Sequence, residues 1–365
     1  MRPRRETAGA SPAPPERVSC AAMESRHFRL GFAGFGNVGR ALAQLLLARR
    51  DEIATRHGLT FEVTLLASAR RGAWVDPSGI DLERALRDGW SAAPRLPEAI
   101  AAAPIDLLFE ATPLNPHSGE PALAHLRAAL GRGVSVVTAN KGPVAFAAPE
   151  LFATSKRTGA GFRFESTVAD CMPVFNLFEA AVPVGRLLSF RGVLNSTSNH
   201  VLQAIARGES AEAAVRDMQR RGFAETDPAH DLDGWDQAVK AVIVANVLMG
   251  RDLRPADVER TPLSAVDPDW VRAQARAGRT VRLLAEAAAD GPARVHPAGL
   301  EAGDFLATLR GFSLGLTLVT ELAGTINVSS VEAGVEQTAY GMLADLVAIR
   351  QGRLRVPACD TPRGR

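Results

Sequence analysis

Six residues, Gly34-Phe35-Gly36-Asn37-Val38-Gly39, constrain this chain more than any others. They have the spacing GxGxxG. They follow an apolar run, His27 to Ala33, that reads as a strand, and precede Arg40 to Arg50, whose apolar residues share one helical face. In such a strand–turn–helix, Gly34 lets the chain turn tightly, Gly36 lets a pyrophosphate approach the backbone, and Gly39 lets helix and strand pack closely. Free N–H groups and the positive dipole end at the helix start suit phosphate oxygens. The spacing alone is weak. Its placement makes dinucleotide binding by Gly34, Phe35, Gly36, Asn37, Val38 and Gly39 the expected role.

A second strand, Phe61 to Ala67, completes half of a dinucleotide-binding unit. Ile105 to Ala111 and Val134 to Thr138 read as further short strands, with Pro121 to Gly131 helical between them. Strands alternating with helices predict an α/β fold with a Rossmann-type, doubly wound parallel sheet. After about residue 150 the pattern changes. Phe162 to Ser166, Ser189 to Leu194 and Thr317 to Val319 read as strands, and Ala211 to Arg221 and Trp235 to Met249 as helices.

The expected organisation is a disordered leader over 1–24, a dinucleotide-binding unit over 25–150 and an α+β unit over 151–334. A last helix, Thr338 to Ile349 within 335–352, returns to the first unit. The first 22 residues are Arg-, Pro- and Ala-rich and lack the apolar centre of a signal peptide, which reads as a disordered leader; Met23, directly before the first strand, is an alternative start. Val281 to Gly303 is Ala-, Gly- and Pro-rich and takes no clear assignment.

Composition excludes several partner classes. With 42 Lys+Arg against 40 Asp+Glu, the net charge of +2 gives no footing for nucleic acid or an anionic membrane. The longest apolar run, Ala241 to Gly250, is broken by Asn246 and too short to span a bilayer. Cys20, Cys171 and Cys359 lie far apart with no CxxC pair, which argues against a disulfide framework and suits a reducing cytoplasm. A soluble, cytoplasmic chain is expected.

NAD enzymes usually carry an acid at the end of the second strand, where it bonds the ribose. Here the strand ends Leu66-Ala67-Ser68-Ala69-Arg70-Arg71. Ser68, Arg70 and Arg71 could hold a 2′-phosphate, or the arginines could be solvated in a loop. NADP(H) is favoured and NAD(H) stays open.

Asp236 and Lys240 are spaced i,i+4, at the head of a helix that continues Ala-Val-Ile-Val-Ala-Asn-Val-Leu-Met. A lysine there should be partly desolvated, which favours proton transfer, although a surface ion pair has the same spacing. Glu225, Asp227, Asp231, Asp233 and Asp236 form an acidic cluster upstream that could grip the ammonium of an amino-acid substrate. A metal is the rival reading, but only His230 joins the cluster and the spacing fits no calcium loop.

Several segments together carry a resemblance that covers nearly the whole chain apart from the leader. They are Glu110-Ala111-Thr112-Pro113 with Ser118-Gly119-Glu120-Pro121, Val136 to Pro143, Glu165 to Pro173, Gly192 to Asn199, and Gly222 to Pro228 running on through Asp231 and Gly234 to Lys240. In these segments the chain resembles homoserine dehydrogenases. The resemblance implies reversible NAD(P)H-dependent reduction of L-aspartate 4-semialdehyde to L-homoserine, a step of threonine and methionine biosynthesis. It makes Lys240 the acid/base and Lys141 a second proton-transfer group at the cofactor–substrate junction. Glu225, Asp231 and Asp236 would line the substrate pocket with Asn195, Ser196 and Thr197, while Thr112 and Gly334 would lie beside the cofactor. Glu165 to Pro173 resembles a monovalent-cation loop, with Glu165, Val168, Asp170 and Met172 as ligands for Na+ or K+. A homodimer built through the second unit is also implied. The sequence stops shortly after the returning helix, so a C-terminal regulatory domain is not expected, nor is more than slight threonine feedback through one.

Three departures stand out. The cation loop reads Ala169-Asp170-Cys171-Met172 in place of a glycine-rich form, Ser330 to Gly334 keeps only the final Ala-Gly of a family GxGAG, and Phe223 replaces a tyrosine. They leave open a related dehydrogenase for another amino-aldehyde or hydroxy-amino acid, or a non-catalytic NADP(H)-binding sensor.

Overall fold

The computed structural model describes residues 24–91, 96–115, 117–220, 232–331 and 334–356. Its first part runs β1 (Arg26–Ala33), α1 (Asn37–Ala48), α2 (Arg50–His57), β2 (Leu59–Ser68), β3 (Gly72–Val75), α3 (Leu82–Asp88), α4 (Leu96–Ala102), β4 (Leu107–Glu110), α5 (Ala122–Gly131), β5 (Ser135–Thr138), α6 (Lys141–Thr158) and β6 (Phe162–Arg163). These strands form one sheet in the order β3-β2-β1-β4-β5-β6, parallel except for the antiparallel edge strand β3.

Side chains alternate across the strands and so feed two helical layers. Phe28, Leu30 and Phe32 of β1 and Phe109 of β4 face Leu42 and Leu46 of α1. Ala33, Leu108 and Val136 face α5 and α6 on the other side. Pro149 lies inside α6, and the helix is kinked at Ala147, as expected for a residue that lacks an N–H and crowds the preceding turn.

The second part continues α7 (Ser166–Ala169), α8 (Phe175–Ala180), β7 (Leu187–Val193), α9 (Ser196–Ala206), α10 (Ala211–Arg220), α11 (Trp235–Met249), β8 (Glu259–Arg260), α12 (Pro268–Arg276), β9 (Thr280–Ala288), β10 (Ala293–Leu300), β11 (Leu314–Thr320), β12 (Gly324–Ser330) and α13 (Val335–Arg350). Its sheet has the order β12-β11-β7-β9-β10-β8, antiparallel except for β8 on β10. Residues Gln237 to Ala245 of α11 are all buried, and Gly250 in the left-handed region ends the helix. α11 packs on α6, so one helix joins the two parts. α13 returns to α1, where Met342 and Leu346 enter the core beside Leu42 and Leu46.

Several elements differ from the sequence reading. Phe162–Arg163 pairs with β5 and extends the first sheet, and the strand stops before Ser166 because the Thr167 hydroxyl and N–H both donate to the Phe164 carbonyl, starting α7. The first helix begins at Asn37 and is followed by a separate α2. That helix buries only Ile53, but has acids in its first turn, Arg56 and His57 in its last, and Gly58 as a left-handed cap. The unassigned stretch from Val281 to Gly303 holds most of an antiparallel hairpin, β9–β10. Alanine and glycine are weak strand formers, so the pattern gives little signal. No helix among the described residues is long and apolar enough to cross a membrane.

Candidate active site

β1 and β4 run parallel but the chain winds outward from them in opposite directions, and the crevice beyond their carboxyl ends is where open α/β sheets bind ligands. Gly34, at φ 97°, packs so tightly there that a Cβ would lie 2.6 Å from the Ala111 carbonyl. A Cβ on Gly39 would meet the Gly34 carbonyl, whereas one on Gly36 would meet nothing within 4 Å. The turn is therefore closed at its first and third glycines and open at the second, the one that admits a phosphate.

Beside it lies a cavity of about 410 Å³. Val38, Thr112 and Lys141 line it from the first part, Asn195 to Thr197 and Lys240 from the second, and Gly334 and Thr338 from the start of α13. At its wall Asp236 joins two lysines. Lys240 Nζ is 2.8 Å from Asp236 Oδ2, one turn along α11, and Lys141 Nζ is 3.4 Å from Oδ1 across the cleft. Asn195 Nδ2 donates to Oδ2 at 3.1 Å, and Lys240 also donates to the Leu194 carbonyl. Burial alone would raise the Asp236 carboxyl, but Lys240 and then Lys141 outweigh it and hold the group well below the usual carboxylate range. Two ammonium groups here meet one carboxylate, a local excess of positive charge suited to stabilising an oxyanion, with Asp170 in the cavity lining besides.

Local structure fixes each part. Asn195 caps α9, accepting from Ser198 N–H at 2.9 Å, which places Ser196 and Thr197 in the first turn. Asn140 caps α6 through Gly142 N–H at 2.9 Å and makes Lys141 its first residue. Gly119 and Gly142 lie back to back, a Cβ on Gly142 falling 2.7 Å from Gly119 Cα. Trp235, next to Asp236, meets the His117 ring edge-on at 5.7 Å, and Arg260 lies 3.5 Å over it.

Other expected site residues are placed differently. Glu225 and Asp231, with Asp227 and Phe223, lie outside the described residues. Arg70 sits away from the cavity in the exposed turn after β2, which the Gly34 N–H bond to the Ala67 carbonyl holds against the glycine turn. Arg71 is laid over Trp90 at 5.5 Å. Val168 and Asp170 line the cavity, whereas Glu165 and Met172 do not. The Glu165 carboxyl instead accepts from the N–H groups of Val174, Phe175 and Asn176 at the start of α8. Burial and the nearby Asp345 push it up to about 7, against the pull of those N–H groups. Asp170 Oδ1 accepts from Thr338. Among the described residues no three His, Cys, Asp or Glu side chains gather as a metal site. An ion at this loop would rely on backbone carbonyls, a donor set that suits a monovalent cation.

Comparison with known proteins gives this geometry a family. Residues 34–165 match the NAD-binding domain of homoserine dehydrogenase and residues 173–347 match the homoserine dehydrogenase domain. An NAD(+)-dependent homoserine dehydrogenase of Pseudomonas canavaninivorans is 35% identical over 90% of this chain and 97% of its own length. The chain belongs to the homoserine dehydrogenase family. It is thus an oxidoreductase acting on a CH–OH group with a nicotinamide dinucleotide. A putative homoserine dehydrogenase from Archaeoglobus fulgidus superimposes with a TM-score of 0.80 at 31% identity, covering 88% of this chain and 99% of that one. A hyperthermophilic archaeal homoserine dehydrogenase in complex with NADPH gives 0.76 at 25% identity, covering 90% and 98%.

Sequence reasoning found the Asp236–Lys240 pair and missed that Lys141 completes it in this member of the homoserine dehydrogenase family. No local signal joins residues 95 positions apart in different parts of the fold. The i,i+4 spacing was visible because it is local.

Proposed function

We propose that this chain catalyses the reversible interconversion of L-aspartate 4-semialdehyde and L-homoserine. The observation that carries the reading is the shared carboxylate of Asp236, which holds Lys141 and Lys240 together at the cavity beside the glycine turn. A bound nicotinamide dinucleotide supplies or accepts the hydride; the Gly34–Gly39 turn, Thr112 and Gly334 would hold it. In the direction of reduction, Lys240 gives its proton to the alkoxide oxygen that forms as hydride reaches the aldehyde carbon, and Lys141 adds positive charge to that oxygen. Asp236 orients both lysines and closes the substrate side with Asn195, Ser196 and Thr197. Glu225 and Asp231 complete the grip on the substrate ammonium.

We assign NADP(H) as the preferred cofactor. In support, no acid ends β2, and Arg70 is exposed and makes no ion pair among the described residues. The test is homoserine-dependent reduction of NADP+ and NAD+ by wild type and Arg70→Ala. Loss of one charge-assisted phosphate contact should lower kcat/KM for NADP+ by roughly 10-fold, with little change for NAD+. Equal effects on both cofactors would sink the assignment, and no homoserine turnover at all would sink the function. Running the same assay in potassium and in choline chloride checks the proposed monovalent-cation loop of Glu165, Val168, Asp170 and Met172.

The chain is also read as a homodimer through its second sheet. Supporting this, Val184, Leu188 and Leu322 are exposed, and Leu322 packs on Gly185, which follows Val184. A single-chain mass by light scattering would count against it.

A further inference from the structure

Behind the cavity, at the end of β4, Glu110 is completely buried. An acid in such a place needs donors around it, and its partners here come from the loop after β4 and the end of β5. Glu110 Oε1 accepts from the Thr112 N–H at 3.1 Å and from the Thr112 hydroxyl. Oε2 accepts from the Thr138 hydroxyl at 3.0 Å. The ring of His125, also buried, stands 3.8 Å from Oε1. The bonds continue outward. Thr138 Oγ1 accepts from Asn140 N–H at 3.0 Å, and Asn140 Nδ2 donates to the Thr112 carbonyl at 2.9 Å and the Pro113 carbonyl at 3.2 Å. Asn140 Oδ1 then caps α6, whose first residue is Lys141.

The network closes on itself. Glu110 ties Thr112 and Thr138 together from below, and Asn140 ties their two loops together from above. Lys141 emerges at the junction with its ammonium 3.4 Å from Asp236. Thr112, on the same network, lines the cavity. We infer that Glu110 is a positioning residue, which acts through Thr112, Thr138 and Asn140 to set where Lys141 stands relative to the substrate and cofactor. Glu110 itself is completely buried and does not line the cavity. The role rests on the proposed part of Lys141 in the reaction.

A carboxyl can accept at both oxygens, whereas an amide accepts at only one, so Glu110→Gln keeps the shape and breaks the pattern. The experiment is a double-mutant cycle on kcat with Glu110→Gln, Lys141→Ala and the double variant. Residues that act as a unit give non-additive effects, so Glu110→Gln should lower kcat roughly 10-fold in wild type and less than about 2-fold in the Lys141→Ala background. The dissociation constant of NADPH, read by its fluorescence, should stay within about 3-fold of wild type.

Multiplying losses in the double variant would show that Glu110 supports the fold alone, and would overturn the inference while leaving Lys141's role intact. If Lys141→Ala by itself left kcat unchanged, the proton-transfer reading and the positioning role would fall together. Should Glu110→Gln not fold, the same cycle with Thr138→Val, which cuts the relay one bond further on and preserves side-chain shape, decides between these outcomes.

Discussion

Lys240→Ala should lower kcat for homoserine oxidation by about 10²- to 10⁴-fold, the range expected when a general acid/base is removed. The substitution takes away a nitrogen that sits 2.8 Å from Asp236 and leaves that carboxylate with Lys141 and Asn195. Helix α11 tolerates the change, since alanine is the strongest helix former and Lys240 adds no apolar contact beyond its stem. Cofactor binding should change little, because the glycine turn lies on the other side of the cavity. The decisive control is Lys240→Arg. It restores the positive charge beside Asp236 but cannot release a proton near neutral pH, so charge without proton transfer should recover only a small part of the rate. A loss of less than about 10-fold in Lys240→Ala would transfer the acid/base role to Lys141.

The largest effect on stability is expected at Asp345. Its carboxyl, on α13, accepts from Arg163 Nε at 2.9 Å and from the Glu165 N–H at 2.9 Å, and both side chains of the ion pair are essentially inaccessible. Burial pushes the Asp345 carboxyl up even though Arg163 pulls it down, so the pair stands in an environment where an unmatched charge is costly. Asp345→Ala leaves Arg163 buried with Glu179, Asn176 and the Arg353 and Arg355 carbonyls as its remaining partners. Breaking a buried pair from one side typically costs 3–5 kcal/mol, and with Glu179 still 2.9 Å from Arg163 a loss of about 3 kcal/mol is expected. Urea denaturation should show a lower midpoint with an unchanged slope, the mark of lost stability without a change in the surface exposed. A shift corresponding to under about 1 kcal/mol would mean the pair behaves like a surface contact.

What the sequence could reveal follows from how far apart the interacting residues are. The glycine turn was legible because strand, turn and helix are contiguous, and the structure places Gly34 and Gly39 where a side chain would clash and leaves Gly36 open. Asp236 and Lys240 were legible through helical spacing. Lys141 was identified through its motif, yet its place opposite Asp236 depends on α6 packing against α11, which no local pattern encodes. Glu110 was noticed only as part of a motif, because nothing in a short apolar strand distinguishes a carboxyl that organises two loops from one that faces water. Arg163 and Asp345, 182 positions apart, carry no joint signal at all. The β9–β10 hairpin escaped for another reason: its alanines and glycines fit the pleat without announcing it.

The path of α13 also bears on how the protein can be made. Its first turn supplies Gly334 and Thr338 to the cavity, while its apolar face covers α1 near the beginning of the chain. Leu42 and Leu46 pack on the β1 phenylalanines within the first part, but the side of that core that Met342 and Leu346 close has no cover until residues past 335 have been synthesised. The last patch of the amino-terminal core is thus closed by α13, from the far end of the described chain. Completion of that core, and of the cavity wall that Gly334 and Thr338 supply, falls to the segment synthesised last.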